Sequence, residues 1–305
     1  MRATPLAALL LLACSPHLPA RGAEEPGAAP PPTGTPTSPA SPLPPGVREI
    51  EAPEPREISG VAWLGPGILV VGDDDAKSAW SWPGGDRLPL PEGLDDTESL
   101  DVLTLADGST LRLFLGEQHA VLADDRGGRT SLPASFAETC GRGAEALTAR
   151  LDGDRIRVVA GVEGGFFTTP CAEPEAARLP RLAFFDWTPG SGAGTLREVA
   201  LPVPEPGDGS RFRLTDLAWR GEELWALLAS ARPGAKKPYE HTWLQRLDAD
   251  GQPLGEPRKL EELWGSYRQD RNWEGLDASP EGWVLGFDAK KGRQFLVLWA
   301  DEQLR

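Results

Sequence analysis

A short segment recurs five times along this chain and limits the folds that it can adopt. Each copy reads as a small or acidic residue, a small residue, and then Leu or Val. The copies begin at Ser59, Glu98, Glu145, Thr215 and Glu274. Each is followed by a turn and a second, strongly apolar strand, so the chain repeats a β-hairpin. Strand-rich repeats of this length favour blades arranged radially around an axis.

The second strands of the hairpins are predicted over residues 68–71, 111–115, 156–160, 224–228 and 284–287. Most units hold four strands, but the last holds only three, and residues 47–52 supply a candidate fourth. The sequence therefore predicts an all-β protein, a β-propeller of about five four-stranded blades closed by the N-terminal strand. Closure of this kind removes exposed sheet edges. Because the motifs are spaced unevenly, by 39, 47, 70 and 59 residues, six blades or an open two-sheet sandwich remain alternatives.

Composition supports this fold class and excludes some partners. The chain has 35 Gly, 31 Pro and 11 Trp, which indicates many turns and many large apolar anchors. The formal net charge of -15 disfavours nucleic acid, since phosphates require clustered Lys and Arg. It also disfavours attraction to an anionic membrane surface. An acidic surface suits cations, or serves solubility alone.

The N-terminus is typical of an exported lipoprotein. Residues 1–13 have a positive residue followed by an apolar stretch that is too short to span a bilayer. They end in Leu-Leu-Ala before Cys14, which resembles a bacterial lipobox and predicts lipidation at Cys14. An ordinary secretory signal is the alternative. We expect a protein of the cell envelope, on the periplasmic or outer-membrane face, held to the membrane only by its lipid anchor.

The remaining chain divides into a tether and one domain. Residues 14–46 are rich in Pro and Ala, and their composition predicts a disordered, extended spacer. Residues 47–305 carry the repeats and form the predicted propeller, which we expect to be a monomer. No transmembrane helix is expected in the mature protein.

The propeller geometry predicts an acidic channel mouth. The first strand of each blade lines the channel and the second runs antiparallel to it, so the start of one and the end of the other share a face. The acidic residues at these ends are Asp73, Asp74, Glu98, Glu117, Glu145, Glu163, Glu274 and Asp288. Like charges in a confined mouth repel, so something should neutralise them. A hard divalent cation such as Ca²⁺ is one candidate.

Basic side chains are the other candidate. Lys77, His119, Arg232 and Lys290 each lie two residues beyond a hairpin corner, so internal ion pairs could replace a metal. The same mixture of charges also suits a phosphate ester or another oxyanion. Arg142 and Arg271 are predicted in loops on the same face, and they complete a candidate ligand-binding rim.

Two further cysteines test the fold. Cys140 precedes the first strand of the third blade, and Cys171 lies in the loop after its second strand. The propeller places both loops on the same face, which predicts a disulfide, as is usual for exported proteins. Two buried free thiols are the alternative.

Several catalytic signatures are absent from the sequence. It has no G-x-S-x-G, Walker or H-E-x-x-H motif, and it holds only three histidines. A Ser-His-Asp hydrolase and a zinc site with several His ligands are therefore disfavoured.

Three sequence segments resemble the phytase-like and esterase-like β-propellers of bacterial envelopes. They are Asn272-Trp-Glu-Gly-Leu-Asp277, Ser59-Gly-Val-Ala-Trp63 and Gly72-Asp-Asp74, and the resemblance covers residues 47–305. It implies calcium-dependent hydrolysis of phosphate esters, with Asp73, Glu98, Glu117, Glu145, Glu163, Glu274 and Asp288 as metal ligands. Ser59 and Thr215 depart from the pattern, because they stand where the other three motif copies have Glu.

The expected function is therefore an envelope-anchored propeller that binds a divalent cation or a small ligand at its acidic mouth. A calcium-dependent phosphoester hydrolase and a protein–protein scaffold are the alternatives. The tryptophans of the predicted strands, such as Trp225 and Trp283, are expected to pack between blades rather than to bind a ligand.

Overall fold

The repeated hairpins form five antiparallel sheets. The computed structural model describes residues 43–52, 58–65, 67–72, 78–94, 96–117, 119–137, 143–164, 179–203, 206, 209–231, 241–264, 272–288 and 294–300. Its strands are numbered β1 to β21 along the chain. Within these residues, no helix is long and apolar enough to cross a membrane.

The sheets follow one another along the sequence as blades. The first blade contains β2 (Gly60–Trp63), β3 (Ile68–Val71), β4 (Ser78–Trp82) and β5 (Arg87–Pro89). The second contains β6 (Thr97–Thr104), β7 (Thr110–Gly116), β8 (Val121–Asp124) and β9 (Arg129–Ser131). The third contains β10 (Ala144–Asp152), β11 (Arg155–Val162), β12 (Arg181–Thr188), β13 (Gly192–Ala193) and β14 (Arg197–Ala200), the last two both pairing with β12.

The last two blades have the same order. The fourth contains β15 (Arg211–Arg220), β16 (Glu223–Ala231), β17 (His241–Leu247) and β18 (Arg258–Lys259). The fifth contains β19 (Asn272–Ser279), β20 (Gly282–Asp288), β21 (Gln294–Ala300) and β1 (Val47–Ala52). β1 pairs antiparallel with β21, so the strand from the start of the domain is the outermost one of this blade. A 3₁₀ turn (Ala134–Phe136) and the short helix α1 (Leu260–Trp264) connect blades.

The hydrophobic core shows that the blades form a ring. It consists of five clusters, and each cluster joins residues of two neighbouring blades, including one that joins the fifth blade to the first. In that last cluster Val61 and Ile68 pack with Val284 and Leu296, and all four are almost fully buried. Five interfaces for five blades are what a closed ring requires, and the five-bladed propeller predicted from the sequence is confirmed.

The inner strands β2, β6, β10, β15 and β19 each contact the next one around the ring. Small residues at the second motif position allow this approach. A Cβ added to Gly60 would lie 2.9 Å from the Cα of Ser99 in the next blade, and one added to Gly275 would lie 3.0 Å from the side chain of Val61. The requirement for a small residue in the repeat therefore comes from backbone contact around the channel.

A β-bulge marks the start of four inner strands. The pairing register shifts between Thr97 and Ser99, and it shifts at the equivalent points of β10, β15 and β19. The bulged residue is the first residue of the motif, namely Glu98, Glu145, Thr215 and Glu274. Bulges re-aim side chains at the rims of closed sheets, and here they sit at one end of the channel.

Candidate functional site

The acidic residues of the motif lie at one end of the hairpins. Thr97 pairs with Gly116, Ala144 with Val162, and Asn272 with Asp288. The start of each inner strand is therefore beside the end of its partner strand. We call this end of the channel the mouth; its described carboxylates are those of Asp96, Glu98, Glu117, Glu145, Glu163 and Glu274.

Three of these carboxylates converge in the second blade. One oxygen from each of Asp96, Glu98 and Glu117 lies within 4.8 Å of the others. The backbone explains this grouping, since the N–H of Glu117 donates to the carbonyl of Asp96 at 2.9 Å, and Glu98 is the bulged residue beside them. Two oxygens that bind one Ca²⁺ at about 2.4 Å are at most about 4.8 Å apart, so this group fits a hard cation.

The neighbouring blade limits the freedom of this group. Glu98 is 9% exposed, and Asp96 and Glu117 are half-buried. The side chain of Glu117 lies against Gly143 at the entrance of β10, where an added Cβ would collide with it. The third blade therefore forms one wall of the group, and only a glycine at 143 leaves room for that wall.

A buried arginine neutralises part of the mouth between the third and fourth blades. The guanidinium of Arg213 forms an ion pair with Glu163 and lies 3.6 Å from Glu145. All three side chains are at most 10% exposed. The backbone N–H of Leu214 also donates to the carbonyl of Glu163 at 2.9 Å. Charges buried this deeply require such partners, so this part of the mouth is built as an ion pair.

The fifth blade contributes an amide–carboxylate contact to the mouth. The Nδ2 group of Asn272 donates to Oε1 of Glu274, and Glu274 is half-buried. This contact holds the carboxylate of Glu274 beside the start of β19.

Below the mouth, Asp216 of β15 crosses the channel. Its Oδ1 accepts a hydrogen bond of 3.0 Å from the hydroxyl of Ser99 and one of 3.5 Å from the N–H of Leu147. Its Oδ2 accepts one of 2.7 Å from the N–H of Leu276. These donors belong to the second, third and fifth blades, so one side chain of the fourth blade bridges three others.

One level further from the mouth, hydrogen bonds join three pairs of neighbouring inner strands. Asp101 of β6 accepts from the N–H of Ala149 and the hydroxyl of Thr148 in the third blade. Thr148 in turn accepts from the N–H of Trp219 in the fourth blade at 3.2 Å. Asp277 of the fifth blade accepts from the N–H of Trp63 in the first blade. Each of these bonds links one blade to the next.

Two blades have alanine at this level, and the aspartates compensate for them. Ala62 and Ala218 offer no acceptor to the strand that follows. The second oxygen of Asp101 accepts from the N–H of Val102 at 2.5 Å, and that of Asp277 accepts from the N–H of Ala278 at 2.7 Å. Two carboxylates and one hydroxyl therefore satisfy an equivalent N–H in all five blades.

Burial changes the acidity of these channel aspartates. Burial raises the pKa of Asp101 to about 6, against the opposing effect of its N–H and hydroxyl donors. Burial also raises the pKa of Asp216 well above its ordinary value. The pKa of Asp277 is likewise raised, first by burial and then by the negative charge of Asp101. The channel therefore shifts these carboxyl groups toward the protonated form relative to exposed carboxyl groups.

The described structure includes part of the predicted site. It places Glu98, Glu117, Glu145, Glu163 and Glu274 at the mouth, with Glu98 close to Glu117. Asp288 ends β20 at the same level, but its side chain is outside the described part. The other predicted residues outside the described ranges are Asp73, Asp74, Lys77, Arg142, Arg232, Arg271, Lys290, Cys14, Cys140 and Cys171. The lipid anchor, tether and disulfide therefore remain predictions.

His119 is the one predicted basic residue of the rim that lies within the described ranges. It is exposed, whereas Glu117 two residues earlier is half-buried. The tryptophans behave as expected, since Trp225, Trp283 and Trp299 pack together between the fourth and fifth blades. Their indole rings meet edge to face, as for Trp225 and Trp283 at 5.1 Å between centroids.

Sequence reasoning missed Asp96, Arg213 and the channel aspartates as site residues. Asp96 stands two residues before a motif, and Arg213 holds the same place before the fourth copy. Asp216 stands where the other copies have Gly, Ser or Ala. A charged residue at a position that otherwise holds a small one was the sequence signal that could have identified Asp216. Asp101 and Asp277 were visible only as the fourth residue of two motif copies.

The fold and the site together define a five-bladed β-propeller with an acidic mouth and buried carboxyl groups in its channel. No family model matches the chain, and no curated protein matches it.

The solved structures similar to the chain include β-propeller enzymes. A streptogramin B lyase is 11% identical with a TM-score of 0.40, and the match covers 82% of this chain and 96% of that one. The native arabinanase of Bacillus subtilis is 12% identical with a TM-score of 0.45, covering 81% and 94%. An exo-1,5-α-L-arabinanase from a bovine ruminal metagenomic library is 10% identical with a TM-score of 0.44, covering 79% and 91%. Such likenesses do not bear on the activity of this chain.

Proposed function

We propose that this protein is a binding propeller whose mouth takes up a divalent cation, with calcium as the expected ion. The observation that supports the proposal is the group of three carboxylates of Asp96, Glu98 and Glu117, whose oxygens lie within 4.8 Å of one another. Calcium takes six to eight oxygen ligands in flexible geometry. Three carboxylates would supply part of that shell, and water or a ligand would complete it.

The charge of the protein favours a cation over other small ligands at this place. The net charge is -15, and an acidic, concave mouth concentrates counter-ions. Arg213 pairs with Glu145 and Glu163 on the side of the third and fourth blades. The group around Glu98 is the part of the mouth that brings three carboxylates within reach of a single ion.

The proposal includes the position of the protein in the cell. Lipidation at Cys14 and the spacer that follows would hold the propeller away from an envelope membrane, with the mouth open to the surrounding solution. Any ligand with an anionic group could then bind through the cation rather than directly to the acidic mouth.

Thermal unfolding with and without calcium tests the proposal. We expect millimolar calcium to raise the Tm of the chain relative to EDTA, because an ion that binds only the folded state stabilises it by about 2.7 kcal/mol at 100 times its Kd. For a domain of this size that corresponds to a rise of roughly 5–10 °C. Titration calorimetry with calcium alone should give about one ion per chain.

Matched variants locate the ion. Glu98→Gln and Glu117→Gln keep the size of the side chain but remove a charge, so each should weaken calcium binding at least about tenfold. Glu281→Gln is the control, because Glu281 lies exposed in the β19–β20 turn. The proposal is wrong if calcium leaves the Tm of the unaltered chain unchanged, or if all three variants respond equally.

A further inference from the structure

Three carboxyl groups of the inner strands lie in the channel below the mouth. Asp101, Asp216 and Asp277 come from the second, fourth and fifth blades, and each bonds to backbone or hydroxyl groups of another blade. Asp101 and Asp216 are 6% and 1% exposed, whereas Asp277 is half-buried and both of its carboxylate oxygens accept backbone N–H groups. Together with Thr148, these three residues are called the channel ring.

The hydrogen-bond donors to the channel ring are uncharged. They are peptide N–H groups and the hydroxyls of Ser99 and Thr148. Dipoles of this kind reduce the cost of a buried negative charge, but they do not remove it. Within the described residues, no Lys, Arg or His donates a hydrogen bond to Asp101, Asp216 or Asp277.

Charged residues of the strands packed around the channel ring lie toward the strand ends. At the mouth they are Glu98, Glu145, Arg211, Arg213, Glu274 and Asp288, the last by its backbone position. At the opposite end they are Arg112, Arg150, Asp152, Arg155, Arg157, Arg220 and Glu223. Several of these are engaged there, as Arg150 is with Glu222 at 2.9 Å and Arg213 is with Glu163 at the mouth. β2 carries no charged residue.

Asp101 and Asp277 also oppose each other electrostatically. The first blade lies between theirs and presents only Ala62 at this level, so no side chain neutralises or separates them. The charge of Asp101 acts on Asp277, and burial acts on both. Two ionised carboxylates here would repel in surroundings of low polarity, whereas one proton would relieve the repulsion and leave three of the four carboxyl oxygens as acceptors for the N–H groups.

We propose that the channel ring is a proton-dependent latch, which holds the five inner strands together most firmly when Asp101 or Asp277 carries a proton. The latch joins the second blade to the third and the fifth blade to the first. Loss of the proton would weaken the contacts between blades while leaving the hairpins within each blade intact. The ring would therefore tighten in mildly acidic surroundings and loosen in alkaline ones.

Linkage gives the direction of the effect. The pKa of Asp101 is about 6 in the folded chain against 3.8 as its ordinary value, so the folded chain binds more protons than the unfolded chain between these values. Stability is then fully present below about pH 4 and falls as the pH rises through 6. The titration of Asp101 by itself should increase the unfolding constant about tenfold from pH 5 to pH 8. Asp216 and Asp277 act in the same direction.

Urea unfolding of the full chain from pH 5 to pH 8, followed by tryptophan fluorescence in EDTA, tests the latch. We expect the unfolding constant to rise with pH. This increase of the unfolding constant between pH 5 and pH 8 should be smaller in Asp101→Asn and in Asp277→Asn. For Asp101→Asn it should be about ten times smaller than in the unaltered chain. Asp154→Asn, in the exposed β10–β11 turn, should match the unaltered chain. Equal pH dependence in all variants, or stability that grows toward pH 8, would overturn the proposal.

Amide hydrogen exchange tests the latch without any substitution, in case the variants do not fold. The amides of Trp63 and Ala149 donate to the ring, so their protection factors should fall above pH 6. Amides paired within a blade, such as that of Val159, should keep their protection. Protection of Trp63 and Ala149 that is independent of pH would contradict the latch.

Repeating the unfolding measurement with calcium distinguishes the proposed latch from the proposed cation site at the mouth. Stabilisation by calcium at pH 8 that is lost in Asp277→Asn would show that a metal rather than a proton neutralises the ring, and would overturn the latch. Stabilisation that survives in Asp277→Asn but is lost in Glu117→Gln supports the latch and the proposed function together. If calcium has no effect but the pH dependence is as expected, the proposed function fails and the latch stands.

Discussion

The carboxylate of Asp277 in the fifth blade accepts a hydrogen bond from the backbone N–H of Trp63 in the first blade, 214 residues away in the chain. This contact lies at the interface where the last blade meets the first. The side chains of Val61 and Leu296 pack in the same interface. Polar contacts in the channel and apolar contacts between the sheets therefore join the same two blades.

The apolar interfaces should carry most of the stability. Leu285 is fully buried in the cluster between the fourth and fifth blades. We expect Leu285→Ala to lower the free energy of unfolding by about 2–5 kcal/mol, because it removes buried methyl groups and leaves a cavity. Leu151→Ala is the control, since Leu151 is 40% exposed, and it should cost less than about 0.5 kcal/mol. Urea unfolding measures both, and equal losses would argue against the described interface.

Asp124 joins the second and third blades outside the channel. Its Oδ1 accepts from the N–H groups of Arg126 and Gly128, and its Oδ2 accepts from the indole of Trp187 at 2.9 Å and the N–H of Gly190 at 2.8 Å. The residue itself is 1% exposed. All four partners are donors, so both side-chain oxygens at position 124 must act as acceptors.

Asp124→Asn should therefore be costly although it conserves shape. Its amide would place a donor against two other donors, and we expect a loss of about 2–4 kcal/mol in the free energy of unfolding. Asp107→Asn, in an exposed turn where the partner is Ser109, should cost less than about 1 kcal/mol. Urea unfolding measures both losses. Losses of similar size in the two variants would show that the four contacts of Asp124 do not stabilise the fold more than the exposed contact of Asp107.

The hairpins could be predicted from the sequence because their signal is local. Strands predicted over 47–52 and 68–71 agree with β1 and β3 in their bounds. The apolar strands and the turn residues between them can be recognised within a single segment of the sequence. Because the two strands of a hairpin are antiparallel, Glu98 and Glu117 then lie at the same end of their hairpin. That part of the site follows from hairpin geometry alone.

Contacts between blades could not be predicted in the same way. Arg213 reaches Glu163 from the next blade, and Asp216 reaches Ser99 across the channel. These pairs depend on how the twisted sheets are arranged around the axis, and no repeat in the chain encodes that arrangement locally. Asp96 was missed for a related reason, since a backbone bond to Glu117 rather than sequence spacing brings it into the group.

The ion pair of Arg213 should be necessary for a stable mouth. Arg213→Met removes the guanidinium beside Glu163, which is fully buried. We expect a loss of about 3–5 kcal/mol in the free energy of unfolding, because the variant leaves a buried carboxylate without its partner. Arg197→Met removes the exposed pair with Asp250 and should cost at most about 1 kcal/mol. Urea unfolding measures both losses, and losses of equal size would contradict the role of the buried ion pair.

Gly143 offers a way to perturb the proposed cation group from outside it. A Cβ at this position would collide with Cγ and the carboxyl group of Glu117, so that side chain would have to move. Gly143→Ala should therefore displace one ligand, and calcium binding should weaken at least about tenfold. Gly194→Ala is the matched control, because its Cβ would meet only the carbonyl of Asp186 at 3.5 Å. Calcium titration calorimetry should show weaker binding for the first variant and none of that loss for the second. Unchanged binding in Gly143→Ala would mean that Glu117 is not a ligand, and the cation would then have to be sought elsewhere on the mouth.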